Sequence, residues 1–182
     1  MDQSHLLHFL HTISQLKNLP RTGWVGRVQN PETVSSHIFR TALLPLVLNE
    51  PTLDVNKCVK MGLLHDLAES LIGDLTPDQA ATVNKHELEK QGFQQLVSDL
   101  PDPISKDFLD LWLEFEEGTT PEARFMKEID KLEMVLQARE YETDQPGVNL
   151  EPFFTSTEGI FTYPSIQALD SEARKQRPRH EE

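Results

Sequence analysis

The sequence predicts an all-α protein, a bundle of helices around one apolar core. Apolar residues recur at intervals of three and four in several segments, which is the spacing of an amphipathic helix. One of these segments starts at Thr120-Pro121, a pair that favours the beginning of a helix. Alternation of apolar and polar residues over the length of a strand is not found. With 182 residues, the chain has the length of one domain of ordinary size.

The first two helices are predicted from apolar spacing and from proline positions. Residues 3–17 carry apolar side chains at helical intervals. The pair Asn30-Pro31 is predicted to supply the N-cap and the first residue of a helix over residues 31–49. Pro45 lies inside this second segment, where its missing N–H is expected to kink the helix.

The third helix and those after it follow the same pattern. Asp54 is predicted to cap the third helix, which is expected to run unbroken over residues 55–72 until Gly73. The remaining predicted helices cover residues 84–98, 104–116, 121–143 and 165–175.

The whole chain, residues 1–182, is predicted to form a single domain. Its core covers about 16–143, and the extension over 144–182 is expected either to pack on this core or to fray from it. Residues 150–164 are predicted to be a loop that aromatic side chains anchor.

The composition excludes several classes of protein. The chain has 30 acidic residues against 17 Lys and Arg, a formal net charge of −13, so a nucleic-acid partner is not expected. No apolar run reaches the roughly 18 residues that span a bilayer, so no membrane partner is expected either. Cys58 is the single cysteine, and the N-terminus does not resemble a signal peptide. We therefore predict an intracellular protein, located in the cytoplasm and compatible with the nucleus.

Four residues in the middle of the chain form a candidate metal site: His37, the adjacent pair His65-Asp66, and Asp130. Charged side chains on apolar helix faces are rarely buried unless they are paired or bind a metal. Taken singly, His37 has the alternative of a hydrogen-bonded core histidine, and Asp66 that of a cap or an ion-pair partner. The alternative for Asp130 is an ion pair with Lys131 or Arg139. The adjacent pair within LLHDLAE is the more specific feature, because two polar side chains in an apolar run are costly without a common partner.

The order His…His-Asp…Asp on helices resembles the HD-domain metal-dependent phosphohydrolases, and more closely their 5'-deoxynucleotidase branch. The HD pair alone is a weak motif, whereas five similar segments in the same order are specific. These are LKNLPRTGWVGR, NPETVSSHIFR, GLLHDLAESLIGDLTP, KHELE and PEARFMKEIDKLEMVLQAREYE. The resemblance implies an HD-domain bundle with a metal in its core. It also implies hydrolysis of deoxynucleoside 5'-monophosphates to a deoxynucleoside and phosphate.

Two further features concern the family's usual properties. Members are commonly homodimers, and we expect such an interface to use apolar residues of the terminal segments, namely Phe9, Phe153, Phe154 and Phe161. Ser36 stands where the family usually has an acidic residue, directly before the first ligand histidine. This departure concerns the tuning of that histidine more than the metal site itself.

Two carboxylates are the predicted catalytic residues. Asp66 is both a metal ligand and part of the catalytic group. Glu69 follows it by three residues, so both project from neighbouring positions of one helix face. We expect Glu69 to hold or deprotonate the attacking water, or to protonate the leaving 5'-oxygen.

The predicted substrate residues lie before and after the metal ligands. Arg21 and Arg27 flank Trp24, and a guanidinium fork matches phosphate oxygens. The resemblance assigns Arg21 and Trp24 to the substrate site. The alternative is solvated arginines around a core tryptophan. Arg40 is a further candidate for binding the phosphate. The resemblance also implies that Asp74 lies near the deoxyribose. The alternative is that Asp74 is a turn or cap residue.

The resemblance implies one divalent ion rather than two, because the two-metal HD phosphodiesterases carry two further histidines between the HD pair and the last aspartate. This chain offers only His86 in that interval, and we predict His86 on a helix surface. Imidazole and carboxylate ligands suit Co²⁺, Mn²⁺, Fe²⁺, Ni²⁺, Mg²⁺ or Zn²⁺, and the sequence does not choose among them. Two alternatives remain open. One is the same chemistry on another phosphate ester, and the other is a non-enzymatic helical scaffold with a structural metal.

Overall fold

The computed structural model describes residues 2–75, 82 and 84–178. Over these residues the regular structure is helical apart from one isolated bridge between Pro20 and Thr33, so the prediction of an all-α fold is confirmed. Residues 76–81, which include the end of the GLLHDLAESLIGDLTP segment, and the last four residues of the tail lie outside the described part. The helices are α1 (Gln3–Ile13), a 3-10 turn (Ser14–Lys17), α2 (Val34–Leu48), α3 (Val55–Leu64), α4 (Glu69–Ile72), α5 (Lys85–Val97), α6 (Asp102–Glu117), α7 (Pro121–Asp144), α8 (Glu151–Thr155) and α9 (Pro164–Lys175).

The longest of these helices, α7, runs through the core. It is 24 residues long and packs against α2, α3, α6 and α9. Thr120 caps it as predicted, because its hydroxyl accepts a hydrogen bond from Ala123 N. Helices pack on several sides of α7, so the side chains on its inner faces are held in place by their neighbours. Its fully buried apolar residues include Phe125, Met126, Ile129, Leu132 and Val135.

The start of α2 differs from the prediction. Asn30 has a left-handed backbone conformation (φ 50°), and the helix begins only at Val34, with Thr33 as its cap. Residues 31–33 are instead extended along the preceding loop, where Arg21 N donates to Glu32 O at 2.9 Å. Pairing between two loop segments thus takes the place of the predicted first helical turn.

The predicted single helix over 55–72 is wrong, because the chain leaves the helical path at the His65-Asp66 pair. Asp54 caps α3 as expected, but α3 ends at Leu64. The following residues form tight turns, such as Glu69 N to Asp66 O at 3.1 Å. The carbonyl of His65 accepts a hydrogen bond from Trp112 Nε1 on α6 at 3.1 Å. In a regular helix, adjacent side chains diverge by about 100°. In this turn, the side chains of His65 and Asp66 are instead directed toward one point.

The described part of the C-terminal extension packs on α7. A short helix, α8, replaces the predicted loop, and Phe154 within it is fully buried. Arg177 lies 3.6 Å from the centre of the Phe154 ring and binds Glu142 of α7 at 2.9 Å. Phe9 and Phe161 are buried as well, so the prediction that Phe9, Phe154 and Phe161 form a dimer interface is wrong. Phe153 is half-buried against Trp24. No helix in the described residues is long and apolar enough to cross a membrane.

Candidate metal centre

The four predicted metal ligands converge from three parts of the fold. His37 lies on α2, His65 and Asp66 lie in the turn between α3 and α4, and Asp130 lies on α7. The Nε2 atoms of the two histidines are 3.1 Å apart, and His37 Nε2 is 3.2 Å from Asp130 Oδ1. Asp66 Oδ2 is 3.2 Å from His65 Nε2 and 3.5 Å from His37 Nε2. The structure therefore brings all four side chains together.

The outer nitrogen of each imidazole has a partner, so each Nε2 is directed at the cluster. His65 Nδ1 donates to the carbonyl oxygen of Gly62 at 2.8 Å. His37 Nδ1 lies 2.5 Å from Oε2 of Glu133. With a proton on Nδ1, the lone pair of Nε2 is free, which is the form of histidine that binds metals. Two such nitrogens and two carboxylate oxygens fit a divalent transition metal.

The charges at the cluster favour a cation. Burial alone would raise the pKa of Asp66 and of Asp130, but the neighbouring imidazoles outweigh it and hold both pKa values below the usual range. Burial and the charge of Arg21 would lower the pKa of His37, whereas hydrogen bonds to Asp130 and Glu133 raise it to about 9. A cation that binds here meets two ionised carboxylates and displaces a proton from His37.

A buried carboxylate that sequence reasoning missed supports this arrangement. Glu133 lies on α7, three residues after Asp130, and none of it is exposed. Its Oε2 contacts His37 and lies 3.1 Å from Arg21 Nη1, while its Oε1 accepts a hydrogen bond from Arg40 Nε at 2.9 Å. The glutamate thus holds one predicted metal ligand and two arginines in fixed relation.

The sequence contained a signal for Glu133. It is three residues from a predicted ligand and stands between Leu132 and Met134, so an acidic side chain on the inner face of α7 needed a partner. Ser36, the departure noted before His37, is exposed, and its hydroxyl lies 3.0 Å from that of Thr33. The partner of the His37 imidazole therefore comes from α7 and not from position 36.

Of the predicted arginines, Arg21 lies beside the cluster and Arg40 lies behind it. Arg21 Nη1 is 3.4 Å from Glu32 Oε1 as well as close to Glu133. Burial disfavours its charge, but the surrounding carboxylates outweigh this and raise the pKa of Arg21 above its usual value. Arg40 is bound to Glu133 and, through Nη1, to Glu140 at 2.7 Å. Arg21 is thus the better placed of the two for a phosphate.

Trp24 and Arg27 do not lie at the cluster. Trp24 is only 1% exposed and packs against Tyr141 and Phe153, with ring centres 5.3 and 4.4 Å away. Its Nε1 donates to Glu32 at 3.0 Å. This placement favours the alternative of a core tryptophan. Arg27 is exposed, lies 5.6 Å from the Phe153 ring and lines a separate cavity near the end of α7.

Glu69 and Asp74 are the remaining predicted site residues. Glu69 is only 8% exposed. Burial, with the charges of Asp66 and Asp74 in addition, raises the pKa of Glu69 to about 10, which favours the protonated form when no cation lies beside Asp66. Asp74 accepts a hydrogen bond from Thr22 N at 2.7 Å, which ties its segment to the loop that carries Arg21. The two segments therefore border the cluster together.

A cleft of about 600 Å³ opens onto His65, Asp66 and Asp130, and this volume is typical of small-ligand sites. Sequence reasoning missed its positive charges. On α7, Lys127 precedes Asp130 by three residues and pairs with Glu116 at 3.1 Å. Because lysines are common on helix surfaces, the sequence alone does not separate the lysines of this cleft from ordinary solvated ones. The cations and imidazole that line the cleft are Lys85, His86, Lys127 and Lys131.

The fold and the cluster define a class of protein. A family model described as HD domain matches residues 13–167, and the chain belongs to this family. The expected resemblance, drawn from the order of the histidines and aspartates, is thereby confirmed.

Particular relatives agree with the finer resemblance to the 5'-deoxynucleotidase branch. The chain is similar to the 5'-deoxynucleotidase HDDC2 of Bos taurus, with 43% identity over 177 residues, covering 95% of this chain and 86% of the relative. Similarity to the protein of the same name in Homo sapiens is 42% over 176 residues, covering 94% and 86%. Among solved structures, a conserved hypothetical protein from Pyrococcus furiosus is similar with a TM-score of 0.80 and 29% identity, covering 93% of this chain and 99% of the other.

Proposed function

We propose that this protein is a metal-dependent phosphomonoesterase that hydrolyses deoxynucleoside 5'-monophosphates to a deoxynucleoside and phosphate. The observation that carries the proposal is the convergence of His37, His65, Asp66 and Asp130, three of which (His65, Asp66 and Asp130) line a cleft large enough for a nucleotide. The names of relatives at 42–43% identity support the substrate class.

One divalent ion, held by the four converging side chains, is the proposed cofactor, with Co²⁺ or Mn²⁺ as the first candidates. Imidazole nitrogens with carboxylate oxygens suit either ion. When bound, the ion supplies Lewis-acid activation of water and of the phosphoryl group.

The chain's own residues bind the phosphate and move the proton. The Arg21 guanidinium, held beside the metal ligands by Glu133 and Glu32, is the proposed phosphate contact. Water attacks phosphorus, and the bond between phosphorus and the 5'-oxygen breaks. Glu69 donates its proton to that oxygen, and a proton from the water restores its neutral form. Asp74, tied to the Arg21 loop, is proposed to face the sugar and to disfavour a 2'-hydroxyl.

The test is phosphate release by EDTA-treated protein from dAMP, AMP and a deoxynucleoside 3'-monophosphate, with Co²⁺, Mn²⁺, Mg²⁺ or Zn²⁺ added back. We expect metal-restored release from dAMP and at least about tenfold less from AMP, a difference of ~1.4 kcal/mol in transition-state binding. Equal release from all three esters would instead support another phosphate ester as the substrate. Metal binding without any release would support the structural-metal scaffold.

We also propose a homodimer, formed through the outer face of α2. Large apolar side chains are exposed there at positions 39, 43, 46 and 47, which fall on one stripe of the helix, and Phe39 and Val47 are 68% and 69% exposed. Contiguous exposed apolar surface is a usual mark of an interaction site, and the same face on a second copy gives a self-complementary contact.

The double variant Phe39→Glu/Val47→Glu is expected to be monomeric, because two buried charges per copy would oppose association. Light scattering coupled to size exclusion should give about twice the 20.8 kDa chain mass for the unmodified protein and a single chain mass for the variant. Val25→Glu is the matched control, since Val25 is 52% exposed in the loop before α2 and should leave the mass unchanged. A monomeric unmodified protein would contradict the proposal.

A cytoplasmic location and the absence of a nucleic-acid partner complete the proposal. Cys58 is free and buried, and burial raises the pKa of its thiol to about 12, so it is not suited to disulfide exchange. The net charge of −13 opposes binding to a phosphate backbone.

A further inference from the structure

Glu133 occupies an unusual position for a carboxylate. It has no exposed surface, and both of its oxygens are engaged. Oε2 faces His37 Nδ1 and Arg21 Nη1 together, whereas Oε1 faces Arg40. A carboxylate is rarely buried to this extent unless its partners compensate for lost hydration. Here one of the partners is a metal ligand and another is the proposed phosphate contact.

We propose that Glu133 is a positioning residue of the reaction: it fixes the His37 imidazole with Nε2 toward the metal and holds the Arg21 guanidinium beside it. This inference rests on the proposed function, since it assigns Arg21 to the phosphate. It concerns a residue that touches neither the reacting atoms nor the metal, and that acts through two others.

The shared oxygen is the basis of the proposal. Glu133 Oε2 lies 2.5 Å from His37 Nδ1 and 3.1 Å from Arg21 Nη1, so the imidazole and the guanidinium share this one acceptor. Arg21 Nη1 and His37 Nδ1 are themselves only 2.6 Å apart, and a proton of each nitrogen directed at the carboxylate oxygen accounts for this close approach. A protonated Nδ1 follows from this geometry, and Nε2 is left free for the cluster.

The other oxygen fixes the orientation of the carboxylate. Arg40 Nε and Nη2 lie 2.9 and 2.8 Å from Glu133 Oε1, and Arg40 Nη1 binds Glu140, about two helical turns along α7. Rotation of the carboxylate would break the contacts on both oxygens together. The metal ligand and the phosphate contact are thus set by one group, so a change at Glu133 should affect both.

The test uses the protein with the variant Glu133→Gln, which keeps the shape and removes the charge. Co²⁺ affinity, measured by titration of the metal-free protein, is expected to fall about 10- to 100-fold, as for other partners of ligand histidines. In the Zn²⁺-loaded protein, the NMR resonance of the His37 Nδ1 proton should move upfield, because an amide accepts more weakly than a carboxylate. The KM for dAMP should rise as Arg21 loses its anchor. Asp144→Asn, which removes an exposed charge at the end of α7, is the matched control.

Glu133→Asp is the second variant, because it keeps the charge but withdraws the carboxylate by one methylene. It should shift the same resonance and weaken Co²⁺ binding even if Glu133→Gln does not fold. Co²⁺ affinity within twofold of the unmodified protein, with the Nδ1 resonance unmoved in a folded variant, would overturn the proposal. These two readouts need no substrate, so they remain informative if dAMP is not hydrolysed and the proposed function fails.

Discussion

Replacing Asp130 by asparagine is expected to remove metal binding and phosphate release together. The change keeps the size of the side chain but replaces an ionised oxygen, 3.2 Å from His37 Nε2, by a neutral amide. Loss of a ligand should exceed the 10- to 100-fold effect typical of the partners behind ligands. We therefore expect a fall in turnover on the order of 1000-fold, equivalent to ~4 kcal/mol. Metal content per chain after dialysis and phosphate release from dAMP are the two measurements.

His65→Ala should give the same joint loss, because its Nε2 is 3.1 Å from that of His37 in the same cluster. Asp144→Asn is again the control, since it removes a carboxylate from α7 without touching the cluster. If both site variants turned over dAMP normally while holding less than about one-tenth of a metal ion per chain, the assignment of these side chains as ligands would be wrong.

The residues of the metal cluster could be selected from the sequence because their types are unusual at their positions. His37 and Asp130 stand on apolar faces of helices whose period is clear, and a bundle directs such faces toward one core. Helices could also be predicted from the sequence where a capping residue directly precedes a regular apolar period. The start of α7 is an example, because Thr120 caps the helix there.

The remaining features depend on contacts that are distant in the chain. The break at His65 relies on Trp112, which satisfies a carbonyl from 47 residues away. The burial of Trp24 relies on Tyr141 and Phe153 closing over it. A local pattern records the polarity of a residue but not the partner that the folded chain brings to it. The choice between a substrate-facing and a core tryptophan therefore needed the structure.

Glu69→Gln is expected to separate chemistry from metal binding. Glutamine has nearly the same size as glutamate but has no acidic proton to give to the leaving oxygen. Position 69 is not one of the proposed metal ligands, so the change should leave the metal in place. We expect kcat for dAMP to fall about 10²- to 10⁴-fold, the usual contribution of a positioned acid or base. Metal content should stay at the level of the unmodified protein. Single-turnover phosphate release and metal analysis on the same samples give both values.

The pH dependence provides a sharper criterion for the role of Glu69. Burial and the charges of Asp66 and Asp74 raise the pKa of Glu69 to about 10, and a bound cation beside Asp66 lowers it from that value. An acid must be protonated to act, so activity should be lost as the pH rises through this pKa, at or below pH 10. The alkaline loss should disappear in Glu69→Gln and persist in the control Glu87→Gln, whose exposed side chain lies on α5. If Glu69→Gln still lost activity at alkaline pH, the proton given to the leaving oxygen would come from another group. Glu69 would then act only on the attacking water.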